Sequence, residues 1–251
     1  MIPRLWRLTW NHRAAAARRL LGAVLSPFAA VSLMAALPAP SAAAPIKIIL
    51  VGDSTTAQNT GWGGSFCARQ VQSAVSCLPL GRGGRSTVTY RSDGSWDLAL
   101  AEAQVQGYDA RYMVIQLGQN DSGTAVTDGS YAAALEGFVL EARKVGARPI
   151  LMTPLATRRF VDGKLSDTMQ SRAGAVRGVA ARLKVPVVDL DAASAALYSQ
   201  MGAAAVADIG FGRAEGKKDF VHFNSSGAEL ISGLVARQLV VAEPSLAKYL
   251  R

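Results

Sequence analysis

Residues 48–58 read IILVGDSTTAQ. An apolar run stops at Gly52, and an acid and a group of hydroxyls follow. The run Ile46–Val51 has the continuity of a strand buried on both faces. Gly-Asp-Ser then marks either a plain turn or a turn that presents a nucleophile. The two look alike locally, so the partners that the rest of the chain offers Ser54 must decide.

Outward from this strand, apolar runs alternate with helical patterns. Trp62 to about Ser76 reads as a helix and Leu78–Leu80 as a brief strand. GRGGRST, 81–87, is too rich in glycine for anything but a loop. Asp97–Gln106 reads as a helix after a loop containing Trp96, and Tyr112–Leu117 as a strand cut by Gly118. Tyr131, Leu135, Phe138, Val139, Ala142 and Val145 fall at helical spacing, and Gly146 stops that helix. Pro149–Met152 is a strand, Met169 to Leu183 a helix, Val185–Leu190 a strand and 192–203 a helix. Ser225 caps a last helix running to about Val241. This alternation predicts an α/β domain with a mostly parallel central sheet and helices on both faces. Ligands of such sheets sit beyond the carboxyl ends of the strands. Ser54, Gly81 and Asn120 follow the first three strands, and Asp219 and His222 precede the last helix.

Residues 1–44 stand apart. They carry Arg4, Arg7, Arg13, Arg18 and Arg19 and no acid. An apolar stretch from about Leu20 to Leu37 follows, broken by Pro27, and then small residues of the A-x-A kind. That order predicts a signal peptide over 1–44 and an exported protein, periplasmic or extracellular, with one domain over 45–251. The apolar run is short and impure for a membrane span, so no stable insertion is expected after processing. The leader holds five of the 27 basic residues and none of the 18 acidic ones, which leaves a surplus of four on the remainder. A mild positive balance suits an acidic substrate without requiring one, and nothing points to nucleic acid. Cys67 and Cys77 either close a short loop as a disulfide, which export would favour, or stay as buried thiols. Two cysteines and one histidine after the leader disfavour a structural metal site, and no metal or organic cofactor is indicated.

A serine hydroxyl needs a base to become a useful nucleophile. Histidine is the best base near neutral pH, and the chain has two, His12 and His222. His12 lies in the leader, so His222 is the candidate. Asp219 stands three residues before it, a spacing at which one carboxylate reaches the imidazole from its own turn and fixes its tautomer. Donors for a developing oxyanion are available at the same sheet edge: the Ser54 N–H, a glycine N–H of GRGGRS with Gly81 best placed, and the Asn120 side-chain amide. GRGG lacks the Lys-Ser/Thr ending of a phosphate-binding loop, and a G-x-S-x-G nucleophile elbow is absent.

Four stretches in order, GDST at 52–55, GRGGRS at 81–86, GQND at 118–121 and DFVH at 219–222, resemble the blocks of the SGNH (GDSL-type) hydrolases. GWGG at 61–64, GRGGRST and TPLATRRFVDGKL at 153–165 are similar to the rhamnogalacturonan acetylesterase branch. The resemblance implies a three-layer α/β/α sandwich of flavodoxin-like type. It implies Ser54 as nucleophile, His222 as base, Asp219 as its orienting acid, and Ser54, Gly81 and Asn120 as the oxyanion hole. It also implies a serine acetylesterase acting on an acetylated pectic polysaccharide. Other SGNH esterases act on acetylated xylan, envelope glycans or lipid esters, and a non-catalytic carbohydrate binder on the same fold is a further alternative. Two departures stand out. Gln119 occupies a position where histidine is expected, and Leu78, Pro79 and Leu80 occupy a region where asparagine is usual.

Arg85, Gln119, Arg158 and Arg159 are the candidate substrate contacts. With Arg82, Arg91, Lys217 and Lys218 the arginines form either a grip for anionic sugars or an ordinary solvated loop surface. Trp62 and Trp96 either stack on sugar rings or belong to the core.

Overall fold

The computed structural model describes residues 44–122, 124–166, 168–212 and 218–251. The proposed leader lies outside the described residues except for Ala44, whose carbonyl accepts the Tyr249 hydroxyl. In chain order the elements are β1 (Ile46–Gly52), α1 (Gly63–Ser65) with a π turn over Phe66–Gln70, β2 (Val75–Pro79), α2 (Thr87–Ser92), α3 (Ser95–Gln104) and β3 (Ala110–Gln116). They continue with α4 (Asp128–Lys144), β4 (Arg148–Met152), β5 (Phe160–Val161), β6 (Lys164–Leu165), α5 (Gln170–Leu183) and β7 (Val187–Val188). Last come α6 (Leu190–Asp208), β8 (Gly210–Gly212), β9 (Lys218–Phe223) and α7 (Ser225–Ala242).

Five strands form the central sheet in the order β2-β1-β3-β4-β7, every pair parallel. Relabelled by position among the sheet strands, that is the 2-1-3-4-5 order of flavodoxin-like folds. β1 is buried along its whole length, which its unbroken apolar run anticipates. Its side chains alternate between two cores. Ile46, Ile48 and Leu50 pack with Trp62, Phe66, Val206, Ile231 and Val235 on the face covered by α1, α6 and α7. Ile49 and Val51 pack with Tyr90, Trp96, Leu135, Phe138 and Val176 on the face covered by α2 to α5. The result is a three-layer α/β/α sandwich.

Several elements differ from the expected ones. The helix predicted over Trp62–Ser76 shrinks to α1 and its π turn, because Val75–Pro79 pairs with β1 and claims the segment for the sheet. Helix α2 starts at Thr87, where the glycine loop ends. Ser86 accepts the Thr89 N–H and the Thr89 hydroxyl accepts the Ser86 N–H, a reciprocal cap. The strand expected over Val185–Leu190 keeps only Val187–Val188, since Asp189 already caps α6 through the Ala192 N–H. Helix α6 is broken at Gly202, whose φ is 77°. Two small antiparallel hairpins, β5–β6 and β8–β9, stand outside the main sheet. Cys67 and Cys77 are joined by a disulfide that ties the π turn to edge strand β2. Among the described residues no helix is long and apolar enough to cross a membrane.

Candidate active site

Ser54 lies on the turn that leaves β1. That turn is held tightly from within. The Asp53 carboxylate accepts both the Thr55 N–H and the Thr55 hydroxyl at 2.8 Å, a side-chain turn typical of aspartate. From below, Gln116 at the end of β3 accepts the Thr56 hydroxyl at 2.6 Å and the Trp62 indole N–H at 2.9 Å. Asp53 is 1% exposed, and burial pushes its carboxyl up to about 6 against the bonds from Thr55 and the Gln119 N–H, with Asp121 adding to the rise.

The Ser54 hydroxyl is 2.8 Å from His222 Nε2. Nδ1 of the same ring is 2.8 Å from one Asp219 oxygen. The other Asp219 oxygen accepts the backbone N–H groups of Val221 and His222 at 2.8 and 2.9 Å. Burial alone would raise the Asp219 carboxyl. The hydrogen bonds from the His222 N–H, the imidazole and the Val221 N–H outweigh it and hold the group well below its usual range. Asp219 is therefore a fixed anion beside Nδ1. It demands a proton on that nitrogen, which leaves Nε2 with its lone pair toward the serine.

These groups open onto a cleft of about 400 Å³ lined by Ser54, Gln119, Asn120, Thr157, Met169 and the Asp219–His222 segment. Asn120 donates one amide hydrogen to the Arg85 carbonyl at 3.0 Å, and a carboxamide nitrogen has a second to offer. Its neighbour Asp121 is fully buried and accepts the Thr87 N–H and hydroxyl, which pins the start of α2 to the end of β3. No acceptor among the described residues takes the Ser54 N–H.

Gly81, expected as a donor, also packs closely beneath the serine turn. The N–H groups of Leu80 and Arg82 on either side of it both bond to carbonyls of β1. A Cβ there would stand 2.6 Å from the Ala57 nitrogen and 2.9 Å from the Asp53 carbonyl oxygen. Only glycine lets the loop lie this close beneath the Ser54 turn. Further along the loop, an added Cβ at Gly83 would be 4.0 Å from Ser54 Cβ.

The cations also separate. Arg158, read from sequence as a substrate contact, is 4% exposed and its guanidinium is spent on backbone carbonyls. Arg85 pairs with Asp93 at 2.7 Å and with the Gly83 carbonyl. Arg82 bonds the Ser95 hydroxyl, and Arg91 pairs with Glu141. These three stiffen the glycine loop and the α2–α4 surface. Arg159 is exposed two residues from Thr157 in the cleft wall. Lys217 lies outside the described residues, as does the side chain of Lys218. Trp62 and Trp96 are both fully buried, the second against Phe138, and neither is available to a sugar. Gln119 lines the cleft, with its Oε1 buried and without a partner among the described residues.

A hydroxyl, an imidazole and an anionic carboxylate in line, beside amide donors at the carboxyl edge of a parallel sheet, is an arrangement for acyl transfer. The sequence profile of the GDSL-like Lipase/Acylhydrolase family matches residues 50–230. The chain belongs to this family. As a GDSL-like hydrolase it is a serine esterase, and it falls in the rhamnogalacturonan acetylesterase-like branch. The chain is 30% identical over 210 residues to the rhamnogalacturonan acetylesterase RhgT of Bacillus subtilis, covering 76% of this chain and 88% of that protein. It is 25% identical over 225 residues to a rhamnogalacturonan acetylesterase of Emericella nidulans, covering 79% and 86%. Among solved structures, Axe2, an acetylxylan esterase from Geobacillus stearothermophilus, shares the fold of this GDSL-like hydrolase with a TM-score of 0.55 at 20% identity, covering 78% of this chain and 93% of that one.

Proposed function

We propose that the chain removes O-acetyl groups from a pectic, rhamnogalacturonan-type polysaccharide after export, with Ser54, His222 and Asp219 as its triad. The observation that carries the mechanism is the pair of 2.8 Å contacts that link Ser54 to His222 and His222 to Asp219 at the cleft. Ser54 Oγ attacks the acetyl carbonyl while Nε2 takes its proton. The oxyanion is met by the Ser54 N–H, the Asn120 amide and the Gly81 N–H of the glycine loop. The imidazolium then protonates the departing sugar oxygen. Water, giving its proton to Nε2, attacks the acetyl-enzyme and releases acetate and the free serine.

The pectic substrate rests on the branch and on the names of the curated relatives. Export rests on the leader over 1–44, and the Cys67–Cys77 disulfide suits an oxidising compartment. A second reading, an acetylated xylan or another uncharged glycan, is favoured by the cleft wall, which carries no lysine or arginine among the described residues. Acetate release from acetylated rhamnogalacturonan, acetylxylan and a small triacyl ester separates them, with Ser54→Ala as control. Preference for the pectic polymer supports the first reading and preference for xylan the second. Unchanged release by Ser54→Ala removes the mechanism.

A further inference from the structure

We infer that Arg158 is the positioning residue that keeps the Asp219–His222 segment in line with Ser54, acting through backbone carbonyls and not through substrate. The inference rests on the triad proposed above.

The two halves of the proposed triad sit on different supports. Ser54 is fixed by the central sheet. Asp219 and His222 belong to β9, which among the described residues pairs with the short β8 and not with that sheet. The register of β9 against β1 must therefore be set by other contacts. On one side the Phe223 N–H bonds the Thr60 carbonyl. On the other side is Arg158, in the segment that leaves sheet strand β4. Its backbone N–H bonds the Phe220 carbonyl at 2.9 Å. Its Nη2 donates to the carbonyls of both Asp219 and His222, at 3.0 and 2.5 Å. Its Nη1 donates to the Val206 carbonyl of α6 at 3.1 Å. One residue thus grips both ends of the Asp-x-x-His turn and ties them to the sheet and to a helix.

The surroundings are shaped to keep the guanidinium there. A Cβ at Gly210 of β8 would stand 2.2 Å from Nη1 and 2.8 Å from Cζ, so glycine supplies the space it fills. The Phe223 ring lies 5.2 Å from Cζ, within range of a cation–π contact. Burial pushes the guanidinium below its ordinary value, opposed by the nearby Tyr198 and Asp219. An arginine serving only to tie surface loops would have no reason to bear that cost. A planar fork that satisfies several carbonyls at once does have one, and lysine cannot reproduce it.

The test compares wild type, Arg158→Met, Arg158→Lys and Gly210→Ala on p-nitrophenyl acetate well below each variant's Tm. Arg158→Met is expected to lower kcat roughly 10²-fold, the scale of an ångström-size misplacement, with KM little changed. Arg158→Lys should recover part of the loss. In a His222→Ala background Arg158→Met should cost nothing further, because the segment it aligns no longer acts. If Arg158→Met does not fold, Gly210→Ala decides, since its added methyl displaces the guanidinium without removing it. It should lower kcat in the same selective way. Wild-type kcat in the folded variants, or an equal loss in the His222→Ala background, overturns the inference alone. A wild-type chain inactive on every acetyl ester overturns the triad and this inference with it.

Discussion

Ser54 Oγ and His222 Nε2 stand 2.8 Å apart, although 168 positions separate them in the chain. The distance is that of a hydrogen bond ready for proton transfer. Its alignment depends on two independent supports, the Asp53 turn beneath the serine and the β9 segment that carries the imidazole. A defect in either would show as lost turnover before lost binding.

The proposed oxyanion donors are open to a direct test. Asn120→Ala removes one donor, and such a loss typically lowers kcat by about 10²–10³. Ser54→Ala should lower it much further. The comparison is a steady-state assay on a small acetyl ester, with circular dichroism to show that both variants fold. An Asn120→Ala enzyme at wild-type kcat would remove the side-chain amide from the oxyanion hole.

That Ser54, His222 and Asp219 would meet was legible in the sequence largely through scarcity. With His12 in the proposed leader, His222 was the imidazole left for Ser54, and Asp219 was the acid beside it. β1 was legible because a strand buried on both faces is apolar at every position. Arg158 was not. A loop arginine looks like a surface group until β8 and β9, more than 50 residues later, fold over it. The same holds for Trp62 and Trp96. Their burial comes from Gln116 and Phe138, partners that no local pattern announces. Helix α2 did carry a local signal in Ser86 and Thr89, hidden beside the glycines that precede it.

The disulfide yields a stability prediction. Cys67 and Cys77 close a ten-residue separation, and loops of this order contribute about 2–3 kcal/mol by restricting the unfolded chain. The Cys67→Ser, Cys77→Ser double variant should lose stability on that scale in urea unfolding. Its kcat at low temperature should stay near wild type, since β2 keeps its pairing with β1. A large fall in kcat with stability intact would show instead that the bridge shapes the glycine loop.

Arg159 tests the pectic reading. It is the exposed cation beside the cleft wall, whereas Arg82, Arg85 and Arg91 are engaged within the protein. A surface charge of this kind contributes up to about 1 kcal/mol, or roughly fivefold in affinity. Arg159→Gln should raise KM for acetylated rhamnogalacturonan by a few-fold and leave p-nitrophenyl acetate unaffected. Added salt should do the same to the wild type. Equal salt dependence for polymer and small ester would favour an uncharged glycan.

Asp53 predicts a pH signature in stability. Its folded carboxyl is pushed up to about 6, chiefly by burial, from an ordinary value of 3.8. Between those values the folded state binds more protons than the unfolded chain, so stability from this group falls as pH rises. Above about 6 the loss is complete. Asp219 acts in the opposite direction and at lower pH. Its depressed carboxyl contributes stability that is present above its unfolded value and lost as pH falls below it. Asp53→Asn keeps an acceptor for Thr55 but cannot ionise. Urea midpoints measured in steps from pH 4 to 7 should show the variant gaining on wild type up to about pH 6 and then running parallel to it. Profiles parallel throughout would mean that Asp53 does not titrate in that window. The support beneath Ser54 would then be a carboxylate already ionised at pH 4.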